Sequence, residues 1–131
     1  MIGLDTHVLV RYIMQDDAKQ SPKATRLVEA LTVDEPGFVA IVSVVELGWI
    51  LSACYGLTRD QIAQALETLL RTKELSVERS DNVLKALRVF KATSADFADC
   101  LIERSAAAAG CERTMTFDIG AAKVAGMALI R

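Results

Sequence analysis

Four carboxylates in this chain stand where α/β proteins place reactive groups: Asp5, Glu46, Asp96 and Asp118. Asp5 and Asp118 share one local setting. Each directly follows a short apolar run and precedes a segment of helical character. In a parallel sheet this is the carboxyl end of a strand, where ligands bind. Glu46 falls one turn into a helical segment behind another apolar run. Asp96 falls in the first turn of a long one, with Asp99 one turn further on. Singly, each has an ordinary structural use. Asp5 and Asp118 can cap helices, Glu46 can complete a capping box with Ser43, and Asp96 can complement a helix dipole. Gathered at one sheet edge, they would repel one another, and one or more would be driven to bind a proton. A divalent cation removes that penalty. Oxygen-only donors suit Mg2+ or Mn2+, and no histidine set accompanies them as in a zinc site. Spacing alone does not supply the convergence.

The elements that must carry these acids follow from periodicity. Ile2–Leu4 reads as a short strand and Thr6–Ile13 as a helix. Ser21 and Pro22 read as the cap and first position of the next helix. Its stripe of Ala24, Leu27, Val28 and Leu31 predicts a buried face. Phe38–Val42 reads as a strand buried on both faces. Ser43 and Glu46 then predict a capped helix that closes at Gly56. Thr58 and Gln61 form a second capping box, for a helix to about Arg71. Leu75–Val77 is a weak strand, and Ser80 can cap a helix carrying Val83, Leu87 and Phe90 on its apolar side. Ser94 can cap a long helix to about Ala109, with Phe97, Leu101, Ile102 and Ser105 among its packing positions; Gly110 ends it. Glu112–Phe117 reads as a strand, followed by an Ala-rich helix and an edge strand at Met127–Ile130. Strands thus alternate with helices over connections too long for hairpins. The solution is a mostly parallel sheet of four or five strands under helices on both faces, in one domain spanning 1–131.

Composition narrows the function. Of the 131 residues, 52% are hydrophobic and 5% aromatic, so an aliphatic core is expected and disorder is not. A net charge of -2 excludes a broad basic footprint for nucleic acid. The best local basic stripe is Lys85, Arg88 and Lys91, three apart, with Arg11 and Arg113 as isolated candidates for phosphate contact. A solvated helix face accounts for the stripe as well. Cys54, Cys100 and Cys111 lack metal-binding spacing and read as small buried hydrophobes of a reduced, cytoplasmic protein. The opening residues predict no signal peptide, and Ser43 and Glu46 interrupt the longest apolar stretch, so no membrane span is expected.

The opening Ile2-Gly3-Leu4-Asp5-Thr6-His7-Val8-Leu9-Val10 resembles the start of PIN domains, among them the bacterial VapC-type toxins. Val44-Val45-Glu46-Leu47, Ala95-Asp96-Phe97-Ala98-Asp99 and Thr116-Phe117-Asp118 resemble the later acidic segments in the family's order. The likeness covers essentially the whole chain. It implies a three-layer α/β/α PIN-like fold and an endoribonuclease site dependent on Mg2+ (or Mn2+), acting as the toxin of a toxin–antitoxin pair. It assigns Asp5, Glu46, Asp96 and Asp118 to catalysis and matches Asp99 to a common additional acid nearer the rim. It also implies a VapB-like antitoxin partner, a toxin homodimer, a heterotetramer or larger complex, and DNA contact only through the antitoxin. His7 stands where these proteins usually have Asn, and reads as a local substitute able to hydrogen-bond at the site or touch substrate.

The expected reaction is hydrolysis of an RNA phosphodiester, with the cation neutralising phosphoryl charge and acidifying water. Asp5, Asp96 and Asp118 are the first choices for metal contact. Glu46 suits positioning a water or a second ion. Thr6 and Thr116 either orient carboxylates by hydrogen bonds or serve only their turn and strand. Two other readings compete. One is a catalytically inactive PIN-like binding or assembly module. The other is an acidic-site phosphoacceptor or phosphatase, which no well-placed lysine supports.

Overall fold

Short apolar runs in the first part of the chain pair side by side. In the computed structural model, which describes Met1–Arg131, strand β1 (Ile2–Gly3) lies parallel to β2 (Gly37–Val39), which lies parallel to β3 (Leu75–Val77). Between them run α1 (Thr6–Met14), α2 (Gln20–Glu29), α3 (Ile41–Ala53) and α4 (Arg59–Arg71). This compact unit, Met1–Ser80, buries Leu4, Leu9, Val10, Val39, Val44, Leu47, Leu51 and Leu66. Each fully buried leucine contributes about 1.5–3 kcal/mol of hydrophobic transfer. Gly37 is required by close approach, because a Cβ there would meet Leu4 Cδ1 at 2.8 Å and Leu31 Cδ1 at 2.9 Å.

The second unit, Asp81–Arg131, holds the remainder of α5 (Ser80–Ala92), then α6 (Phe97–Ala108), β4 (Met115–Thr116), α7 (Ile119–Val124) and β5 (Ala128–Leu129). Strands β4 and β5 are parallel, joined through α7. Val83, Leu87, Phe90, Phe97, Cys100 and Leu101 are buried. Phe90 and Phe97 meet edge-on with centroids 5.9 Å apart, a favoured quadrupole geometry. The chain therefore has the expected α/β class with parallel strands, hydrogen-bonded as ladders of three and two.

Several boundaries differ from expectation for identifiable reasons. The strand expected to reach Val42 stops at Val39, and α3 begins at Ile41. Its N-cap is Ala40, and the Ser43–Glu46 capping box does not form. The acceptor comes from far along the chain: Glu78 Oε1 takes the Ile41 N–H at 2.9 Å. Ser21 does not cap α2 either. Asp17 Oδ1 accepts the N–H groups of Lys19 and Gln20, while buried Ser21 accepts the Asp17 N–H through Oγ. Ser94 yields its capping role to Asp96. The Thr58–Gln61 box forms with both reciprocal bonds. Leu27 and Ile102, expected in buried stripes, are exposed, as are Cys54 and Cys111; only Cys100 of the three cysteines is buried. No helix is long and apolar enough to cross a membrane.

Candidate active site

In the first unit, Asp5 follows β1 and precedes α1, as its sequence setting predicts. It is the N-cap residue by position, but its side chain caps nothing. The backbone of the first turn is closed by Val8 N–H donating to Asp5 O, which leaves the exposed carboxylate outside the helix hydrogen bonding. Because β1 and β2 are parallel neighbours, the start of α3 belongs to the same sheet edge as Asp5. Glu46 lies five residues into that helix, about 7.5 Å along its axis at 1.5 Å per residue. Its side chain is exposed, and the helix cap that would have occupied it is absent. Thr6 is buried beneath the edge, and His7 is exposed on the first turn of α1.

Arg11 is held in place. Its Nη1 donates to Tyr55 Oη at 3.0 Å and to Asp16 Oδ1 at 3.3 Å, and its Nε donates to Gln20 Oε1 at 2.8 Å. Tyr55 Oη in turn donates to Asp16 Oδ2 at 2.7 Å. That hydrogen bond is the chief cause holding the Asp16 carboxyl below the usual range, with Arg11 adding to it. The Tyr55 phenol is raised for the same reason. Arg11, a candidate RNA contact, thus ties α1 to the loop that follows it, to the start of α2 and to Tyr55 just beyond α3. Tyr55 and Asp16 were not among the residues singled out from sequence, since a lone tyrosine and a loop aspartate carry no pattern.

The second unit carries three acids that interact electrostatically. Asp96 is the N-cap of α6: its Oδ1 accepts the N–H groups of Ala98 at 2.7 Å and Asp99 at 3.4 Å. Asp118 is the N-cap of α7 in the same manner, with Oδ1 accepting from Gly120 at 2.7 Å and Ala121 at 3.2 Å. Capping engages Oδ1 in both residues, so Oδ2 is not needed for it. Asp99, half-buried one turn into α6, has its carboxyl raised above the usual range. Burial is the largest cause, followed by the negative charges of Asp96 and Asp118. The helix-cap use of Asp96 and Asp118 is therefore real, and their electrostatic proximity to Asp99 coexists with it. Thr116 Oγ1 accepts the Asp118 N–H at 3.0 Å, a bond that fixes the turn at the end of β4. Lys85 and Arg88 are exposed on α5.

The donor chemistry of these acids suits a hard divalent cation: oxygen ligands, negative charge in excess, and one carboxylate disfavoured by burial and then by its neighbours. No three or more His, Cys, Asp or Glu side chains stand in a geometry that closes on one ion.

The sequence matches the PIN domain family over residues 2–127. This chain belongs to that family, whose likeness was visible in the order of its acidic segments. Among curated proteins it is similar to a "VapC ribonuclease" of Aquifex aeolicus (strain VF5), with 25% identity over 114 residues, 87% of this chain and 84% of that protein.

Proposed function

We propose that this protein is a metal-dependent endoribonuclease and the toxin of a toxin–antitoxin pair. The observation that carries the reading is the trio Asp96, Asp99 and Asp118, in which burial and then the charges of Asp96 and Asp118 raise Asp99, in a chain that belongs to the PIN domain family. The similarity to a protein named VapC ribonuclease supports the toxin assignment. Asp5, Glu46, Asp96 and Asp118 are the proposed catalytic acids. Asp5, Asp96 and Asp118 would hold Mg2+ or Mn2+, with Asp99 as an additional acid. The bound cation supplies positive charge for phosphoryl oxygens and acidity for an attacking water.

The chain's own residues contribute position. Asp96 and Asp118 are immobilised by the helix N–H groups they cap, so little side-chain entropy is lost when a ligand engages them. Thr116 fixes the backbone at Asp118. Asp5, free of capping duty, keeps both oxygens available. His7, exposed two residues on, is a proposed substrate contact. Arg11, Lys85 and Arg88 are the proposed phosphate contacts. The partner in this reading is a VapB-like antitoxin, and an Arg side chain from it would pair bidentately with the acids. The toxin itself would be a cytoplasmic homodimer.

The test is cleavage of defined RNAs by the purified chain with Mg2+ or Mn2+, and again with a chelator. Metal-dependent cleavage is the expected result. Expression in a bacterial host should arrest growth, and D118N should relieve the arrest. A second reading, an inactive PIN-like binding module, draws on the lack of a closed set of cation ligands. Tight cation binding without cleavage of any RNA would identify it.

A further inference from the structure

One aromatic residue of the second unit is out of keeping with the rest. Phe90 and Phe97 are buried at 4% and 6% exposure, whereas Phe117 is 80% exposed. Met115 and Ile119, two residues to either side, are also exposed, at 46% and 62%, and exposed apolar residues need no explanation by themselves. Phe117 differs in being held rigidly and in what lies beside it. The hydrogen bond from Asp118 N–H to Thr116 Oγ1 brackets it on both sides. Asp118 is pinned again by the Gly120 and Ala121 N–H groups. The backbone that carries the ring is therefore fixed, and the ring stands out from it immediately before a proposed catalytic acid.

We propose that Phe117 is a stacking platform for a nucleobase of single-stranded RNA, a positioning residue that sets one nucleotide beside Asp118. The inference rests on the nuclease reading and specifies how substrate is held there. Single-stranded RNA is recognised chiefly by stacking unpaired bases on aromatic side chains, because every base offers a π-face. A protein with net charge -2 and no broad basic surface has little non-specific phosphate attraction to draw on, so stacking carries a larger share of its grip on RNA. An apolar protein surface is the poorer occupant. Asp118 adjoins Phe117 in the chain, and docking an apolar face there would desolvate its carboxylate without pairing it. A nucleobase covers the ring while its polar edges and phosphate remain solvated.

The test uses the full chain and octa-adenylate as the probe, in a D96N background so that the probe is not consumed. F117A should weaken probe binding about tenfold, the scale of one lost base–aromatic stack, and F117Y or F117W should restore it. In a W49F background, the F117W variant should show saturable fluorescence quenching by the probe. Equal affinity of F117A and its parent, or no quenching, overturns the proposal. A change in oligomeric mass on F117A with unchanged probe affinity also overturns it, in favour of a protein contact. Failure of the nuclease reading looks different: the unmodified chain would cleave no RNA with Mg2+ or Mn2+, yet F117A would still weaken probe binding.

Discussion

Asp96 and Asp118 are matched residues. Each caps its own helix through Oδ1, with a shortest bond of 2.7 Å, and the charge of each raises Asp99. A helix cap stabilises the fold and an acidic cluster opposes it, and here the same carboxylates do both. The cost is concentrated on Asp99, which has no capping bond to offset it.

Asp99 should therefore give a pH-dependent stability of definite sign. Its folded-state pKa lies above the unfolded one, so the native state binds more protons between the two values. Asp99 thus lowers stability as pH rises through that window, and its cost is fully present above it. D99N is expected to raise the melting temperature modestly at pH 7. The gain should shrink as pH falls toward the ordinary aspartate value of 3.8 and vanish below it. Thermal melts of both proteins across pH 3–8 measure this directly, roughly spanning the window. A gain that grows on acidification would contradict the assignment.

The Arg11–Tyr55–Asp16 network has the opposite sign. Asp16 is depressed in the folded state, so its contribution is present above the usual carboxylate range and is lost as pH falls through the folded value. Y55F removes the largest cause of the depression. The Asp16 carboxyl should titrate at higher pH in the variant, as followed by NMR. The variant should also melt lower at pH 7, and the deficit should close in strong acid.

Helix α3 depends on a residue remote in sequence. Glu78 Oε1 accepts the Ile41 N–H at 2.9 Å, where no local side chain caps the helix. E78A is expected to destabilise by about 1 kcal/mol, as for loss of an N-cap, and E78Q to lose less because it keeps an acceptor. Denaturant titration separates the two.

This cap also shows where the sequence was readable and where it was not. The Thr58–Gln61 box was legible because both partners lie three residues apart. The start of α3 was not, because Ser43 and Glu46 mimic a box while the working acceptor lies 37 residues away. The apolar run Phe38–Val42 had no internal mark for the change from strand to helix after Val39. Periodicity placed much of the core, including Val28, Val83, Leu87 and Leu101, yet it also put Ile102 inside, where it is exposed. At the site, the positions of Asp5 and Asp118 after strands were legible. The coupling of Asp99 to two capping acids was not, since it depends on how α6 and α7 are placed in space. Phe117 was legible as the end of an apolar run, but its exposure was not, because exposure is a property of the fold.

Core packing in the first unit admits a simple check. Leu66 of α4 is fully buried. L66A is expected to cost about 2–5 kcal/mol, read as a lowered denaturant midpoint. A loss within about 0.5 kcal/mol, the scale of a surface change, would show that α4 does not pack as described.

The central claim is that the acids of this chain cleave RNA with a divalent cation. The most direct measurement compares the parent with D96N on defined RNAs in Mg2+ or Mn2+, alongside a melting curve for each. The account predicts cleavage by the parent that a chelator abolishes. D96N should lose about a hundredfold or more in rate, on the order of 2.7 kcal/mol of barrier at tenfold per 1.36 kcal/mol, while remaining folded. Cleavage by folded D96N at the parental rate would contradict it.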